Sequence, residues 1–414
     1  MDDLPTVPAD LLGTAFARLG QIAPNPADTW FGLVFRLAGP RPTVDELRAR
    51  VAARLDRLPR LTERLVARAT VQWERDPDFD VARHVGTLPR HTGVLSAHEI
   101  LAGGPDPARP PWGLWVTDDS EDGESWRLYY LVHHARQDAA GALRTVMALL
   151  GDDEIPAATG PAGVRGRGWP ALLPIAADLV RTKLPAPPVP RKAYGPGRVL
   201  ASAEVDVALL TEIAGRTGAT VNQVHLAAMS SALDRWSPRP EVSRRPVNIP
   251  VDTRAAGEED LSSRLGFMRV DLPCGDAAPA QRLRAVRAAA GRRRTERYRR
   301  VWAAITRRGG HPAAAWAMRR ITDHTQVAMT LSNLRLTAPM TLAGAPVVDA
   351  TALPWLPPAH ECFAFFATYG DRAALTVLAP EGAPEPAALA AYWTDAVHEL
   401  HRVHAPRPGV GSSA

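Results

Sequence analysis

Trp126-Arg127-Leu128-Tyr129-Tyr130-Leu131-Val132-His133-His134-Ala135-Arg136-Gln137-Asp138-Ala139-Ala140-Gly141 is the stretch on which the reading of this chain turns. Trp126 to Val132 is an almost unbroken aromatic and aliphatic run, the pattern of a strand buried on both faces. Asp138 stands where a helix N-cap is wanted, and Ala142, Leu143, Val146, Met147 and Leu150 then recur at helical spacing. The paired histidines therefore lie at a strand's end, in the short loop leading to a helix. Reactive groups of α/β enzymes commonly leave a rigid scaffold at such places. Imidazole titrates near neutrality and is the side chain best suited to take a proton from an attacking oxygen or nitrogen. Adjacent strand residues point to opposite faces, so only one of His133 and His134 looks into a given cleft while the other packs or bonds behind it. Asp138 then fixes the loop, by pairing with an arginine or by capping the helix, without touching substrate. The same letters also fit a purely structural histidine pair with a capping aspartate. Metal binding does not fit, because neighbouring strand histidines cannot both turn to one ion and no third ligand stands at zinc-like spacing.

Around this stretch, 414 residues exceed one usual core, so two lobes are expected. Apolar residues make up 46% of the chain, which excludes wholesale disorder. The net charge of +5 raises the question of nucleic acid. All but two of the 49 basic residues are arginines, the exceptions being Lys183 and Lys192. Together with abundant Ala, Pro and Gly, that pattern reads as coding bias rather than a selected basic face, so no nucleic-acid partner is expected. Cys274 and Cys362 lie far apart, Met1-Asp2-Asp3-Leu4-Pro5 lacks the build of a signal peptide, and no apolar run is long enough to span a bilayer. A cytoplasmic location follows as the expectation.

Residues 1–156 read as one α/β lobe. Leu33–Leu37 has strand character, and Thr43 with Glu46 forms a capping box that opens a helix through Leu47, Val51, Leu55 and Leu58 to Pro59. Residues 157–200 are rich in Pro and Gly around an apolar helix-like patch, Leu172–Leu179, and read as a connector. Residues 201–405 form a second α/β lobe. It holds a helix opened by Thr220, strand-like runs at Pro246–Val251, Phe267–Leu272, Val327–Leu331, Cys362–Tyr369 and Ala373–Leu378, and an arginine-dense helical stretch over 281–308. Residues 406–414 read as a frayed tail.

Several further segments, in order along nearly the whole chain, carry a resemblance. They are Pro8-Ala9-Asp10, Pro59-Arg60-Leu61 with Arg64-Leu65, and Trp73, Asp76-Pro77-Asp78-Phe79-Asp80 and His84-Val85. Pro105-Asp106 with Arg109-Pro110-Pro111-Trp112, Thr220-Val221-Asn222-Gln223, Pro250-Val251-Asp252-Thr253-Arg254 and Leu331-Ser332-Asn333-Leu334 complete the set. With the histidine motif, the chain resembles the HHxxxD acyltransferase superfamily, and within it the bacterial wax ester synthase/diacylglycerol acyltransferase group, which is condensation-domain-like. The resemblance implies an α/β fold of two chloramphenicol-acetyltransferase-like lobes, forming a pseudo-dimer with a tunnel between them. It also implies that His134 is the general base, that His133 and Asp138 are supporting residues, and that Ser332 and Asn333 help position substrate or hold the oxyanion. Arg254 is the candidate partner for Asp138. Departures from the family pattern are Ala139 at the motif glycine, Gln223 at an acidic position, and Phe267 after Gly266 where a Gly-Asn pair is usual. They point away from bulk lipid chemistry, toward acyl transfer in secondary metabolism.

The activity expected is transfer of an acyl group from a thioester to an alcohol or amine. No permanently bound cofactor or metal is implied; the co-substrate is acyl-CoA or an acyl group on a phosphopantetheinylated carrier protein. The arginines of 281–308 fit CoA phosphates, an acidic carrier, an anionic membrane surface, or simply a solvated amphipathic helix. Membrane contact is not favoured. Two alternatives remain: a neutral-lipid synthase, and a non-catalytic relative that binds a carrier protein.

Overall fold

The computed structural model describes residues 6–152, 194–308 and 327–405, apart from positions 103, 105, 120–122, 241, 256, 259, 328, 337–338 and 359. The helix-like patch Leu172–Leu179, most of the connector and the tail 406–414 lie outside the described residues.

The first half of the chain runs β1 (Thr6–Pro8), α1 (Leu11–Ile22), β2 (Trp30–Ala38), α2 (Val44–Ala52), β3 (Glu63–Ala67), β4 (Val71–Arg75), β5 (Val85–Thr87), α3 (Ala97–Ile100), β6 (Trp112–Asp118), β7 (Ser125–His133) and α4 (Ala139–Leu150). The apolar run that opens the motif is strand β7, set between β2 and β6, antiparallel to both. Its side chains alternate as a two-sided buried strand requires. Trp126, Leu128, Tyr130 and Val132 enter the main core with α4, while Tyr129 and Leu131 face a smaller cluster with Trp30, Val34 and Ala97. Helix α2 opens with the Thr43/Glu46 capping box but ends at Ala52 rather than at Pro59. Leu55–Arg57 and Pro59–Thr62 form two tight turns of 3-10 type, because the residue before a proline is pushed out of helical geometry and Leu58 has φ −130°.

The second half runs β8 (Arg198–Asp206), α5 (Val207–Thr217), α6 (Val221–Trp236), β9 (Arg244–Asp252), β10 (Leu265–Pro273), α7 (Pro279–Ala289), α8 (Arg292–Arg308), β11 (Met329–Arg335), β12 (Thr341–Leu342), β13 (Ala345–Leu353), β14 (Cys362–Tyr369), β15 (Arg372–Pro380) and α9 (Pro386–Val403). The arginine-dense stretch is thus two helices, interrupted at Ala290 and Gly291. Strands are arranged β10-β9-β11-β14-β15-β8 in a six-stranded mixed sheet. One face carries Cys362, Ala364 and Phe366 into a core shared with α5, α6, α7 and α9. The other face turns Phe363, Phe365, Ala367 and Tyr369 into the core of the first lobe.

The lobes are more interwoven than a division at residue 200 implies. That boundary falls inside β8. Residues 341–353, from the C-terminal half, join the first sheet, whose order is β12-β13-β2-β7-β6-β5. Strand β13 pairs along β2 from Leu353↔Gly32 to Val347↔Leu37, with a register shift near Asp349. Its Thr351 hydroxyl meets that of Thr376 on β15 at 3.1 Å, so β13 also packs on the second sheet. At the head of β8, Arg198 reaches back to buried Asp28, with Nε and Nη2 at 2.7 and 2.6 Å from its two carboxylate oxygens, and His98 Nε2 lies 2.9 Å from the same group. Burial opposes the Asp28 charge, but His98 and Arg198 together hold its carboxyl below the usual range.

Glycine is required by close approach at Gly266 on β10. A Cβ there would overlap the ring and Cβ of Trp302, whose indole Nε1 donates to the Phe267 carbonyl at 2.8 Å. Gly266→Ala therefore forces α8 off β10, with an expected loss of about 1–3 kcal/mol in denaturant-unfolding free energy. An unchanged unfolding midpoint would show that the contact between Gly266 and Trp302 is not tight.

Candidate active site

His134 follows the last residue of β7 and is held by its backbone. Its N–H donates to the Thr29 carbonyl at 2.9 Å, and its carbonyl accepts from the Ser263 hydroxyl at 2.8 Å. The ring lies flat against Phe16, with centroids 4.4 Å apart and planes within 8°. Phe31 is at 4.4 Å on a tilt, and the edge of Trp355 is at 5.4 Å. Burial pushes the pKa down to about 4, although the Asp138 charge pulls the other way. The ring is therefore neutral through the physiological range. Its Nδ1 is buried, and the ring lies within reach of the backbone of His134 and Gln137.

His133 is occupied on both sides. Nδ1 accepts the Ala135 N–H at 3.0 Å, so that nitrogen carries no proton. The proton is then on Nε2, which donates to the Thr29 hydroxyl at 2.8 Å. Burial, and next the neighbouring His134, press its pKa down to about 3. Of the two imidazoles, only that of His134 lines the neighbouring cavity.

Asp138 is saturated by its surroundings. Oδ1 accepts from Gly141 N–H at the start of α4 and from Arg254 Nη2, both at 2.9 Å. Oδ2 accepts from Arg254 Nη1 at 3.0 Å and from Arg264 N–H at 2.7 Å. The structure thus brings the expected arginine against the expected aspartate as a fork-on-fork pair, each side chain only 1% exposed. The same carboxylate also caps the helix, so both roles read from sequence coexist. Arg254 further donates to the Asp260 carbonyl at 2.9 Å and to Asp252 at 3.2 Å, which fixes the loop after β9. That loop crosses so close over α4 that a Cβ at Gly141 would strike the Leu261 carbonyl.

A cavity of about 130 Å³ opens beside the imidazole. Asp138, Ala139, Pro250, Asp252, Arg254, Ser332 and Asn333 contribute to its wall, with Phe31, Phe267, Trp355, Phe363 and Phe365 as its aromatic side. Ser332 pairs in register with Phe365 on β14, on the face turned to the first lobe. Its hydroxyl has no hydrogen-bond partner among the described residues. Asn333, the next residue along, is exposed. Among the described residues no group of three or more His, Cys, Asp and Glu is arranged to hold a metal ion, and no helix is long and apolar enough to cross a membrane.

Sequence reasoning missed the aromatic wall, Thr29 and Ser263. The alternation of Phe363 and Phe365 shows that they share a face. Which partner that face meets is decided by packing between lobes, for which the sequence holds no local signal.

Comparison with known proteins decides the family. The profile "Wax ester synthase/diacylglycerol acyltransferase catalytic domain" matches residues 32–165, which include the histidine motif, and "WS/DGAT C-terminal domain" matches residues 262–401. The chain belongs to the wax ester synthase/diacylglycerol acyltransferase family. It is an acyltransferase. Among its relatives, the Mycobacterium tuberculosis protein described as probable diacylglycerol O-acyltransferase tgs1 is 26% identical over 336 residues, 69% of this chain and 72% of the relative. Probable diacylglycerol O-acyltransferase Tgs4 of the same organism is 26% identical over 394 residues, 79% and 82% of the two chains.

In fold, the wax ester synthase/diacylglycerol acyltransferase from Marinobacter aquaeolei VT8 superposes with a TM-score of 0.65 at 17% identity, over 96% of this chain and 99% of that one. The first condensation domain of the CDA synthetase gives 0.65 at 15% identity, over 97% of each chain. The architecture is the mixed α/β one of that fold, with two chloramphenicol-acetyltransferase-like lobes.

Arg254→Ala leaves the Asp138 carboxylate buried without its counter-ion, which costs about 3–5 kcal/mol of stability. Arg254→Lys restores the charge but not the fork, so its melting temperature should fall between wild type and Arg254→Ala. Equal melting temperatures for wild type and both variants would remove the pair from any structural role.

Proposed function

We propose that the family's acyl transfer runs here through His134 as general base, with an acceptor hydroxyl attacking an acyl thioester. The observation that carries this reading is the contrast between the two imidazoles. His133 has both nitrogens bonded away from the cavity, whereas the His134 ring forms part of the cavity wall. The proton of the acceptor passes to His134 as its oxygen bonds to the thioester carbon. The tetrahedral intermediate then breaks its carbon–sulfur bond, and the departing thiolate takes the proton from the imidazolium, giving ester and free thiol. No covalent enzyme intermediate is needed. The Ser332 hydroxyl, in the cavity wall and without a partner among the described residues, suits donation to the oxyanion. Asp138, Arg254 and His133 hold the loop. Two reactants would approach from opposite mouths between the lobes, and positioning supplies much of the acceleration.

A hydroxyl acceptor is favoured over an amine by the O-acyltransferase names of the relatives. The cavity favours compact reactants. About 130 Å³ lies below the roughly 300 Å³ at which pockets for drug-sized ligands begin. Space of that order suits a short acyl group and a small acceptor, as in secondary metabolism, better than the two long chains of a wax ester. Neutral-lipid synthesis is the second reading, supported by the names of those same relatives.

Purified protein offered acyl-CoAs of increasing chain length, with alcohols and amines, should release thiol fastest with short acyl groups and alcohols. His134→Ala should lower that release to the uncatalysed background, and equal release by both proteins would end the proposal. Ser332→Ala should lower kcat about 100-fold. Because burial pushes the His134 pKa down to about 4, the base is already unprotonated at pH 6. The value of kcat/KM should hold level from pH 8 down to about 5 and fall only below that. A fall centred near pH 6.5 would mean a solvated imidazole.

A further inference from the structure

Helix α8 is charged on one side and apolar on the other. Tyr298, Val301 and Trp302 are buried, while Arg293, Arg297 and Arg300 are exposed at i, i+4 and i+7. At 1.5 Å rise per residue, those three form a stripe about 10 Å long. Arg292 beside it, and Arg284 and Arg287 on α7, are exposed as well. Five of these six arginines have no acidic partner among the described residues. The sixth, Arg300, shares Glu296 with Arg299, at 3.2 and 3.8 Å. Some helical arginines elsewhere face carboxylates, as Arg48 does Asp45, Arg216 Glu212 and Arg235 Asp395, while Arg18 on α1 and Arg402 on α9 have no acidic partner among the described residues. What distinguishes α8 is that three exposed arginines share one face of one helix.

The helix that carries the stripe packs against residues of the cavity wall. On the inner side of α8, Trp302 donates to the carbonyl of Phe267, whose residue forms part of the cavity wall. The positive charge of Arg299 acts on Asp252, another wall residue. The inner side of α8 is therefore packed behind the wall of the cavity.

We propose that the exposed arginines of α8 bind the phosphate groups of a CoA-borne acyl donor. This rests on the acyl-transfer reading above. Guanidinium groups match phosphate oxygens in charge and in forked geometry. In CoA the phosphates sit at the far end of the pantetheine arm from the thioester. Anchoring them outside the wall leaves the acyl end free to reach His134. A compact cluster of phosphates suits a stripe of this length better than the broad acidic face of a carrier protein.

The test uses the full chain and three donors carrying the same acyl group: the CoA thioester, the pantetheine thioester, which lacks phosphates, and a loaded carrier protein. In Arg293→Glu/Arg297→Glu/Arg300→Glu, KM for the CoA thioester should rise at least tenfold with kcat unchanged. KM for the pantetheine thioester should not move. The wild-type preference for CoA over pantetheine should shrink as salt is raised. Equal KM shifts on CoA and pantetheine donors, no shift on either, or a shift confined to the carrier-borne donor would overturn the proposal. Arg→Gln at the same positions should give a smaller shift in the same direction and guards against misfolding by charge reversal. Calorimetric titration with CoA itself, without acyl group or acceptor, separates the two claims. Wild-type binding that the triple variant loses supports the phosphate site even if no donor is turned over, and absent wild-type binding refutes it whatever the catalytic result.

Discussion

The buried pair of Asp138 and Arg254 is the constraint from which the rest of the site follows. Asp138 belongs to the loop between β7 and α4, and Arg254 to the loop after β9, so one ion pair joins the two lobes. Two fully desolvated charges are tolerable only when every oxygen and most donors are met, and here all four acceptor positions of the carboxylate are taken. The result is a loop with little freedom. Gly141 is fixed under Leu261, Ser263 reaches the His134 carbonyl, and Arg264 adds a backbone N–H to the same carboxylate. The imidazole between them inherits its position from charges it does not itself carry.

Around that anchor, the division of labour within the histidine pair is set by hydrogen bonding rather than by titration alone. Both rings are pressed below their usual pKa by burial, so both are neutral at pH 7. What separates them is that Thr29 and the Ala135 N–H consume one ring entirely. Residues 28 and 29 thereby serve two ends. Asp28 binds Arg198 and His98, and the next residue holds His133 by its hydroxyl and His134 by its carbonyl. A structural ion pair and the geometry of the proposed base are thus consecutive in the chain.

Much of this was legible in the sequence, and the limits have physical causes. The strand–loop–helix around His134 could be read because burial on both faces and a capping aspartate are local signals. Cys362–Tyr369 was read to the residue, since its flanks and its apolar run agree. The choice of Arg254 came from family resemblance, and nothing local points to it. Helix α2 was read too long because Leu55 and Leu58 keep helical spacing after the backbone has tightened before Pro59. The aromatic wall escaped because Phe16, Phe31, Phe267, Trp355, Phe363 and Phe365 come from separate segments. The pairing of β13 with β2 escaped for the same reason, since residues more than 300 positions apart leave no periodic trace.

That last pairing bears on how the molecule comes into being. Strand β2 is interior only because β13 lies along it, and β13 is made after most of the chain has already been synthesised. Until then Trp30–Ala38 has one row of backbone N–H and C=O groups without partners, on a strand whose side chains are nearly all apolar. A fragment ending in the connector would keep that edge permanently open and invite pairing between copies. The two halves thus share a sheet rather than each closing its own. Ribosomal release of the C-terminal third is the event that lets the N-terminal sheet close, and slow late translation would lengthen the interval in which nascent chains can aggregate.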